Sequence, residues 1–199
     1  MKVKGFLKDV GGASRVTKMR QEMIANGSPV PDPKDPIREL ADLLHPGRQQ
    51  FTVTEIREAS PTATTYRFSP VNGHVPVFQS GQYVNFYLTV GDSVLTRAYS
   101  ISSAPYEARL EEPFFEVTIR HNVHYLVPDW FQENVKVGTE ITAALPFGQF
   151  NYEPLRDSDH IVGIAGGSGI TPFASMAKEI AFGKLDIDLT IIYGSVKHT

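Results

Sequence analysis

A glycine-rich turn between an apolar run and an amphipathic segment restricts the C-terminal part of this chain to a small set of folds. Residues 160–165 form a short apolar run, typical of a strand buried on both faces. The turn at 166–171 leads to Pro172, which suits a first helical turn, and apolar residues then recur at helical spacing until Gly183. A second apolar run at 188–193 completes a predicted β-α-β unit.

The turn of this unit predicts an anion site. Free N–H groups and the positive end of the helix dipole attract an anion, and glycines let the backbone approach it closely. In open α/β sheets ligands bind at the carboxyl ends of the strands, where both the turn and residues 193–195 lie. We therefore predict that a dinucleotide pyrophosphate binds here, with a tight turn that holds no ligand as the alternative.

Upstream of this unit, short alternating or aromatic-rich runs predict a small antiparallel barrel of six strands. A helix at 124–134 interrupts them. In one run, strand alternation places the cation of Arg97 and the ring of Tyr99 on the same face, next to the hydroxyl of Ser100. The six runs are 51–56, 64–68, 83–88, 95–101, 114–120 and 140–144.

Three motifs of this sequence, in the order in which they occur along the chain, resemble those of the ferredoxin-NADP reductase superfamily, in its branch of oxygenase reductases. The sequence Arg97-Ala98-Tyr99-Ser100 is similar to the R-x-Y-S flavin motif of that family. Residues 166–172 are similar to its G-G-x-G-I-T-P nucleotide loop, and residues 193–195 to the segment after the second strand of its nucleotide domain. The resemblance covers residues from about 51 to 195.

The resemblance implies an oxidoreductase that passes electrons from NADH or NADPH through FAD to an iron–sulfur protein or a [2Fe-2S] domain absent from this chain. Arg97 would neutralise the flavin phosphates, Tyr99 would pack on the isoalloxazine, and Ser100 and Thr171 would contact the flavin. No catalytic acid or base is expected, because hydride moves directly between stacked rings. The expected cofactor-binding residues are Arg97, Ala98, Tyr99, Ser100, Thr118, Ile119, Leu126, Val127, Pro128, Gly166, Gly167, Ser168, Gly169, Thr171, Tyr193, Gly194 and Ser195.

One segment departs from the family pattern. Where relatives usually carry a Gly-x-x-Ser turn that opens a short helix at the flavin pyrophosphate, this chain has Tyr125-Leu126-Val127-Pro128. Pro128 still suits a helix start, whose first N–H groups can face an anion. Tyr125 would either cover the cofactor or fill its place, and FMN is the alternative to FAD. Lys197, with no acidic residue after Gly194, favours NADPH over NADH.

The chain is predicted to contain a helical N-terminal extension at 1–48, a flavin-binding antiparallel β-barrel at 49–153 and a partial NAD(P)-binding α/β domain at 154–199. In the extension, helical patterns lie around 14–25 and at 35–44, with a linker between them. Basic residues near the N-terminus are typical of a solvated surface, with docking of an acidic redox partner as the alternative. They are Lys2, Lys4, Lys8, Arg15, Lys18 and Arg20.

The chain ends soon after Ser195, so we expect a shortened form of a reductase. The alternatives are a flavin-binding subunit or fragment without its own NAD(P)H oxidation, and a barrel that has lost its flavin. The spacing of His121 and His124 suits two metal ligands, but no third ligand is near in sequence, and no metal site is predicted.

Composition agrees with an enzyme module. The 199 residues are 41% hydrophobic with a net charge of −3, which gives material for a core and no reason to expect nucleic-acid binding. No apolar run approaches the roughly 18 residues of a membrane span, and no signal peptide is recognised. Because the chain has no cysteine, it cannot ligate an iron–sulfur cluster through thiolates, and we expect a cytoplasmic location.

Overall fold

The structure, a computed structural model, describes residues 6–27, 35–121 and 125–195; the side chains of residues 6–14 and of Leu43 are outside the description. The chain divides into two compact units, residues 1–39 and 40–199. The division into three domains predicted from the sequence stays a prediction. No helix in the described part combines the length and the apolar character needed to cross a membrane.

Two helices form near the N-terminus, as the sequence predicts. Helix α1 (Phe6–Ala25) starts earlier than its predicted pattern, and α2 is Pro36–Leu44. The backbone N–H of Ile37 donates to Asp35 Oδ1 at 3.0 Å, which confirms Asp35 as the cap of α2. The linker was predicted at 26–33, and its residues 28–33 lie outside the described residues, as do the basic residues Lys2 and Lys4 and the side chain of Lys8.

The six predicted strands form one antiparallel sheet that closes into a barrel. Its strand order is β4-β3-β6-β1-β2-β5. The chain continues from β4 to Ile101, which bridges Val117 on β5 and joins the two edge strands. The strands are β1 (Gln49–Ser60), β2 (Ala63–Pro70), β3 (Tyr83–Val90), β4 (Ser93–Ser100), β5 (Phe115–Arg120) and β6 (Glu140–Phe147).

Alternate residues of these strands fill the barrel with aromatic and branched side chains. Helix α3 (Leu126–Asn134) adds Val127 and Phe131 to this core. The Phe131 ring centroid lies 5.3 Å from that of Tyr66 and 5.7 Å from that of Phe86. The strand residues of the core are Phe51, Val53, Tyr66, Phe68, Val84, Phe86, Leu88, Phe115, Val117, Ile119, Ile141, Ala143 and Leu145.

The predicted β-α-β unit is confirmed at the C-terminal end. Strand β7 (His160–Gly166) is followed by a 3-10 turn (Gly167–Ile170), helix α4 (Thr171–Ala181) and strand β8 (Asp188–Gly194), which pairs in parallel with β7. A Cβ atom at Gly163 would lie 2.5 Å from a ring carbon of Phe173. Glycine therefore lets α4 pack directly on β7.

The expected burial of β7 on both faces is wrong for the described residues. Ala165 is buried with Phe173 and Met176 of α4. On the opposite face Val162 and Ile164 are 63% and 77% exposed. Within the described part of the chain, α4 covers one face of the two-stranded sheet and leaves the other to solvent.

Candidate functional site

Two neighbouring cavities lie where the barrel meets the glycine turn. The larger has a volume of about 630 Å³ and is lined by Ala98, Tyr99, Ser100, Thr118, Arg120, Tyr125, Ser168, Gly169, Thr171 and Pro172. The smaller has a volume of about 390 Å³ and is lined by Ala59, Ser60, Pro61, Thr62, Ala63, Thr118, Arg120, Gly167, Ser168, Ile170, Thr171, Tyr193 and Ser195. Four residues line both, so the cavities form one cleft; they are Thr118, Arg120, Ser168 and Thr171.

Tyr99 is half-buried between the core and the larger cavity. Its backbone is held in register opposite Val84 on β3. Its ring centroid lies 6.0 Å from those of Phe86 and Phe131, so the ring packs on the edge of the core while it lines the cavity. Burial raises the pKa of the Tyr99 phenol to about 12, although the charge of Arg97 acts to lower it. The phenol is therefore neutral at physiological pH.

Arg97 is exposed on β4, two residues before Tyr99. Its Nη1 donates to the carbonyl oxygen of Thr96 at 2.8 Å. Arg97 is not among the lining residues of either cavity. Its role as a phosphate ligand therefore stays a prediction.

Thr118 and Arg120 bring a hydroxyl and a cation from β5 to the junction of the two cavities. The Thr118 hydroxyl lies 2.8 Å from the hydroxyl of Thr65 and 3.1 Å from that of Ser102. Arg120 follows two residues later, so strand alternation gives it the same outward direction as Thr118. A Cβ atom at Gly167 would lie 2.8 Å from Arg120 Nη1, which shows how closely this guanidinium approaches the turn.

The glycine turn is tied to both elements that flank it. Thr171 Oγ1 donates to the carbonyl oxygen of Ser168 at 2.9 Å, at the start of α4. Tyr193 Oη donates to the carbonyl oxygen of Gly167 at 3.2 Å, at the end of β8. Gly167 has φ of +55°, a left-handed conformation that glycine adopts without strain.

The cleft brings together residues predicted separately from the barrel and from the β-α-β unit. Those lining it are Ala98, Tyr99, Ser100, Thr118, Gly167, Ser168, Gly169, Thr171, Tyr193 and Ser195. Gly166 and Gly194 pair at the ends of β7 and β8 without lining the cleft.

The remaining predicted residues belong to the core or to α3. Ile119 and Val127 are 2% and 3% exposed, and both side chains belong to the barrel core. Leu126 is exposed and Pro128 is half-buried near the start of α3, and neither is among the lining residues of the cleft. Contacts from these residues to a cofactor stay a prediction.

Some residues that line the cleft were absent from the predicted set; they are Ala59, Ser60, Pro61, Thr62, Ala63, Arg120, Tyr125, Ile170 and Pro172. Arg120 was missed although its spacing from Thr118 on a strand could have revealed it. Tyr125 was expected to cover or fill the cofactor site; it is 60% exposed and forms part of the wall of the larger cavity.

The structure gives no support for metal binding by His121 and His124, the pair whose spacing suits two metal ligands. The imidazole Nε2 of His121 lies 2.9 Å from the hydroxyl oxygen of Thr64. His124 lies outside the described residues. Among the described side chains there is no cluster of three or more histidine and acidic residues that could hold a metal ion.

The cleft has the chemistry that a flavin requires. Its larger cavity falls in the range of roughly 300–1,000 Å³ that is typical of small-molecule sites. Its wall combines an aromatic ring at Tyr99, hydroxyl groups at Ser100 and Thr118, and a cation at Arg120. These residues fit the apolar ring and the charged tail of such a cofactor.

Comparison with known proteins identifies the barrel. Residues 50–152 match the family described as the oxidoreductase FAD-binding domain. The chain belongs to this family. The resemblance to ferredoxin reductases, the fold class and FAD as the cofactor, all predicted from the sequence, are thereby confirmed.

The relatives of this FAD-binding domain include reductase components. The glycine betaine monooxygenase reductase subunit of Pseudomonas aeruginosa strain PAO1 is 30% identical over 150 residues, which are 75% of this chain and 39% of that protein. The terephthalate 1,2-dioxygenase reductase component 2 of Comamonas sp. is 28% identical over 154 residues, 74% of this chain and 42% of that protein. The chain thus spans about two-fifths of the length of these relatives.

A solved structure shares the fold. The flavohem-like FAD/NAD binding domain of nitric oxide dioxygenase from Vibrio cholerae O1 biovar El Tor is 26% identical, with a TM-score of 0.64 over 75% of this chain and 63% of that one. Phthalate dioxygenase reductase, at 17% identity and a TM-score of 0.64, covers 76% of this chain and 44% of that one, and shows a common fold.

Proposed function

We propose that this FAD-binding domain takes part in passing electrons from NADH or NADPH through FAD to a separate iron–sulfur acceptor. The main support is the cleft that the barrel and the β-α-β unit form together. Thr118 and Arg120 of the barrel line both cavities together with Ser168 and Thr171 of the β-α-β unit. A flavin against the barrel and a nucleotide at the glycine turn would therefore meet in one site.

The names of related proteins support this direction of electron flow. The relatives from Pseudomonas and Comamonas are, by name, reductase components of oxygenases. The similar phthalate dioxygenase reductase is described as a modular structure for electron transfer from pyridine nucleotides to [2Fe-2S]. Because this chain has no cysteine, such a cluster would be ligated outside residues 1–199. The cytoplasmic location expected from the sequence stays a proposal.

We assign the flavin side of the cleft to the end of β4. Tyr99 would offer its ring as a stacking surface, and Ser100 would supply a hydroxyl for the polar edge of the flavin. When bound, FAD supplies the hydride-accepting chemistry, so the protein needs only to hold the two cofactors in contact. Arg97 remains the predicted ligand of the flavin phosphates.

We assign the nucleotide side to the glycine turn. Backbone N–H groups at the start of α4 and the positive end of its dipole would attract a pyrophosphate. Arg120 stands at the junction of the cavities, so its guanidinium would add a fixed positive charge there. Lys197, on which the preference for NADPH depends, lies outside the described residues.

A flavin-binding part that depends on further protein for NAD(P)H oxidation is the second candidate. Parallel sheets are normally covered on both faces. Here Val162, Ile164 and Ile192 of the two-stranded sheet are 63%, 77% and 57% exposed. These exposures favour a nucleotide-binding part that is completed by additional structure.

Anaerobic mixing separates these functions. The chain is first loaded with FAD and freed of excess cofactor, and then mixed with NADPH, NADH or dithionite. We expect NADPH or NADH to bleach the flavin absorption. Bleaching by dithionite alone would assign the chain to the second candidate, and a chain that takes up no FAD would contradict both.

A further inference from the structure

The outward-facing residues of β5 form a polar row along the junction between the barrel and α4. Phe115, Val117 and Ile119 of this strand point into the core. The alternate residues Glu116, Thr118 and Arg120 therefore face outward. Glu116 is nevertheless buried, with its side chain 4% exposed, because other elements cover it.

Three cations surround the Glu116 carboxylate. Arg67 Nη2 lies 3.0 Å from Glu116 Oε1, while Arg57 Nη2 lies 3.4 Å and Lys178 Nζ 3.1 Å from Oε2. Both arginines belong to the barrel, on β1 and β2, whereas Lys178 belongs to α4. Through Glu116, Lys178 therefore links α4 to the barrel, whereas the two arginines link one barrel strand to another.

A second buried contact lies one helical turn from Lys178. Ser175 Oγ donates to the carbonyl oxygen of Ser103 at 2.5 Å, and the backbone N–H of Glu116 donates to Ser103 Oγ at 2.9 Å. Both serines are fully buried. Ser80 Oγ also donates to Glu179 Oε2 at 2.6 Å. Helix α4 is thus fixed to the barrel by three polar contacts within five residues, 175–179.

These contacts lie at a distance from the glycine turn but on the same scaffold. Lys178 is seven residues from Thr171, which corresponds to about 10 Å along a helix. Glu116 is four residues from Arg120, which corresponds to about 13 Å along a strand. Lys178 meets β5 at Glu116, and the turn meets it near Arg120. Strand β5 and helix α4 therefore run side by side, with Glu116 next to Lys178 at one end and Arg120 next to the glycine turn at the other.

We propose that Lys178 and Ser175 are positioning residues that hold the glycine turn in place over the cleft by anchoring α4 to Glu116 and Ser103. The inference deepens the proposed function, on which it rests, since it assigns part of the nucleotide affinity to contacts about two helical turns away. None of the four residues lines the two cavities. Their effect on the nucleotide therefore acts through the position of α4.

Substitution of two cations of the same carboxylate tests the proposal. Lys178→Gln removes the link to α4, and Arg57→Gln removes a cation from Glu116 without touching α4. Lys178→Arg retains the charge and serves as the rescue variant. For each chain we would measure the Kd of FAD, the KM and kcat for NAD(P)H, and the hydrogen exchange of backbone amides at 166–171.

Lys178→Gln should accelerate hydrogen exchange at the turn and raise the KM for NAD(P)H by about 10-fold. This effect is smaller than the roughly 100-fold loss of rate that a 1 Å misplacement can cause. The Kd of FAD should stay unchanged, and Lys178→Arg should restore both values. Arg57→Gln should leave the turn and the KM as they are. Equal effects of the two glutamine variants, or unchanged exchange in Lys178→Gln, would overturn the inference.

The exchange measurement separates the two proposals. A parent chain that binds FAD but fails to oxidise NAD(P)H would contradict the proposed function. In that case, faster hydrogen exchange at 166–171 in Lys178→Gln, but not in Arg57→Gln, would still support the anchoring of the turn. Ser175→Ala gives a second comparison, because it removes the other anchor and should also accelerate exchange at the turn.

Discussion

At the residue scale, Tyr99 joins the stability of the barrel to its proposed function. Its ring packs near Phe86 and Phe131 and also lines the larger cavity. Burial raises the pKa of its phenol to about 12, so the neutral ring is present throughout the physiological range. The contribution of Tyr99 to flavin binding should therefore come from its ring and be independent of pH below that value.

Substitution of Tyr99 tests this assignment. Tyr99→Ala should weaken FAD binding by about 10-fold, or ~1.4 kcal/mol, because it removes an aromatic stacking surface. Tyr99→Phe keeps the ring and should change the Kd little. The measurement is a titration of the chain with FAD, followed by quenching of flavin fluorescence.

Tyr87 provides the matched control for this titration. It is a half-buried tyrosine on the neighbouring strand, with the guanidinium of Arg48 over its ring, and it is not among the residues lining the cleft. Tyr87→Ala should destabilise the barrel but leave the Kd of FAD unchanged. An equal loss of affinity in both alanine variants would show that the effect of Tyr99→Ala is one of folding.

At the element scale, the two faces of β5 have different roles. The inward face builds the core, and the outward face carries Glu116 and the two cleft residues Thr118 and Arg120. Burial alone would raise the pKa of Glu116, but the charge and hydrogen bond of Lys178, the hydrogen bond of Arg67 and the charge of Arg57 together outweigh burial and lower this pKa. The ionised carboxylate therefore stabilises the folded state.

Glu116→Gln should lower the free energy of unfolding at neutral pH by about 1–3 kcal/mol, because it removes a buried carboxylate that accepts hydrogen bonds from charged partners. The folded-state pKa lies below the usual 4.5, so the stabilisation is complete above pH 4.5 and is lost as pH falls through the folded-state pKa. Denaturant unfolding of both chains across this range should show the difference shrinking in acid.

The exposed carboxylate of Glu55 gives the control for this series. It pairs with Arg67 Nη1 at 2.6 Å, but its side chain is 39% exposed. Exposed ion pairs contribute typically less than about 1 kcal/mol. Glu55→Gln should therefore change stability little at any pH. A loss as large as that of Glu116→Gln would contradict the role given to burial.

The contact between β7 and α4 depends on a missing side chain. Gly163→Ala would place a Cβ atom 2.5 Å from the buried Phe173 ring and should cost about 1–3 kcal/mol of stability through overpacking. Gly166→Ala is the matched control on the same strand, since its Cβ would meet no atom of the described residues within 4 Å. Thermal unfolding of both variants checks the difference; equal stability would place the helix farther from the strand.

At the scale of the whole molecule, local pattern predicted the barrel and its six strands but not the strand pairing that closes it. Alternating runs identified all six barrel strands, and the glycine turn with Pro172 located α4. The bridge from Ile101 to Val117, which closes the barrel, depends on pairing between residues distant in sequence. The extent of β1, Gln49–Ser60, was also underestimated, because its outer end lies beyond the apolar run at 51–56.

The flavin motif and the glycine turn were expected to form one site, but the contacts that join them were not predicted. Motif spacing identified Tyr99, Ser100 and the glycine turn, which all line the cleft. It gave no sign that Arg120 stands between the two cavities or that Lys178 reaches Glu116. Such contacts depend on how α4 lies on the barrel, which neither local propensity nor periodicity determines.

We propose that FAD binds in this cleft with its isoalloxazine against Tyr99, and the roles given to the other cleft residues depend on this placement. A crystal structure of the chain grown with FAD would test it. We expect the isoalloxazine in contact with the Tyr99 ring, at about 3.5–4 Å between their atoms, and the flavin tail directed towards cationic and backbone N–H groups. A flavin bound elsewhere on the barrel, or a Tyr99 ring that contacts protein alone while FAD occupies another site, would contradict it.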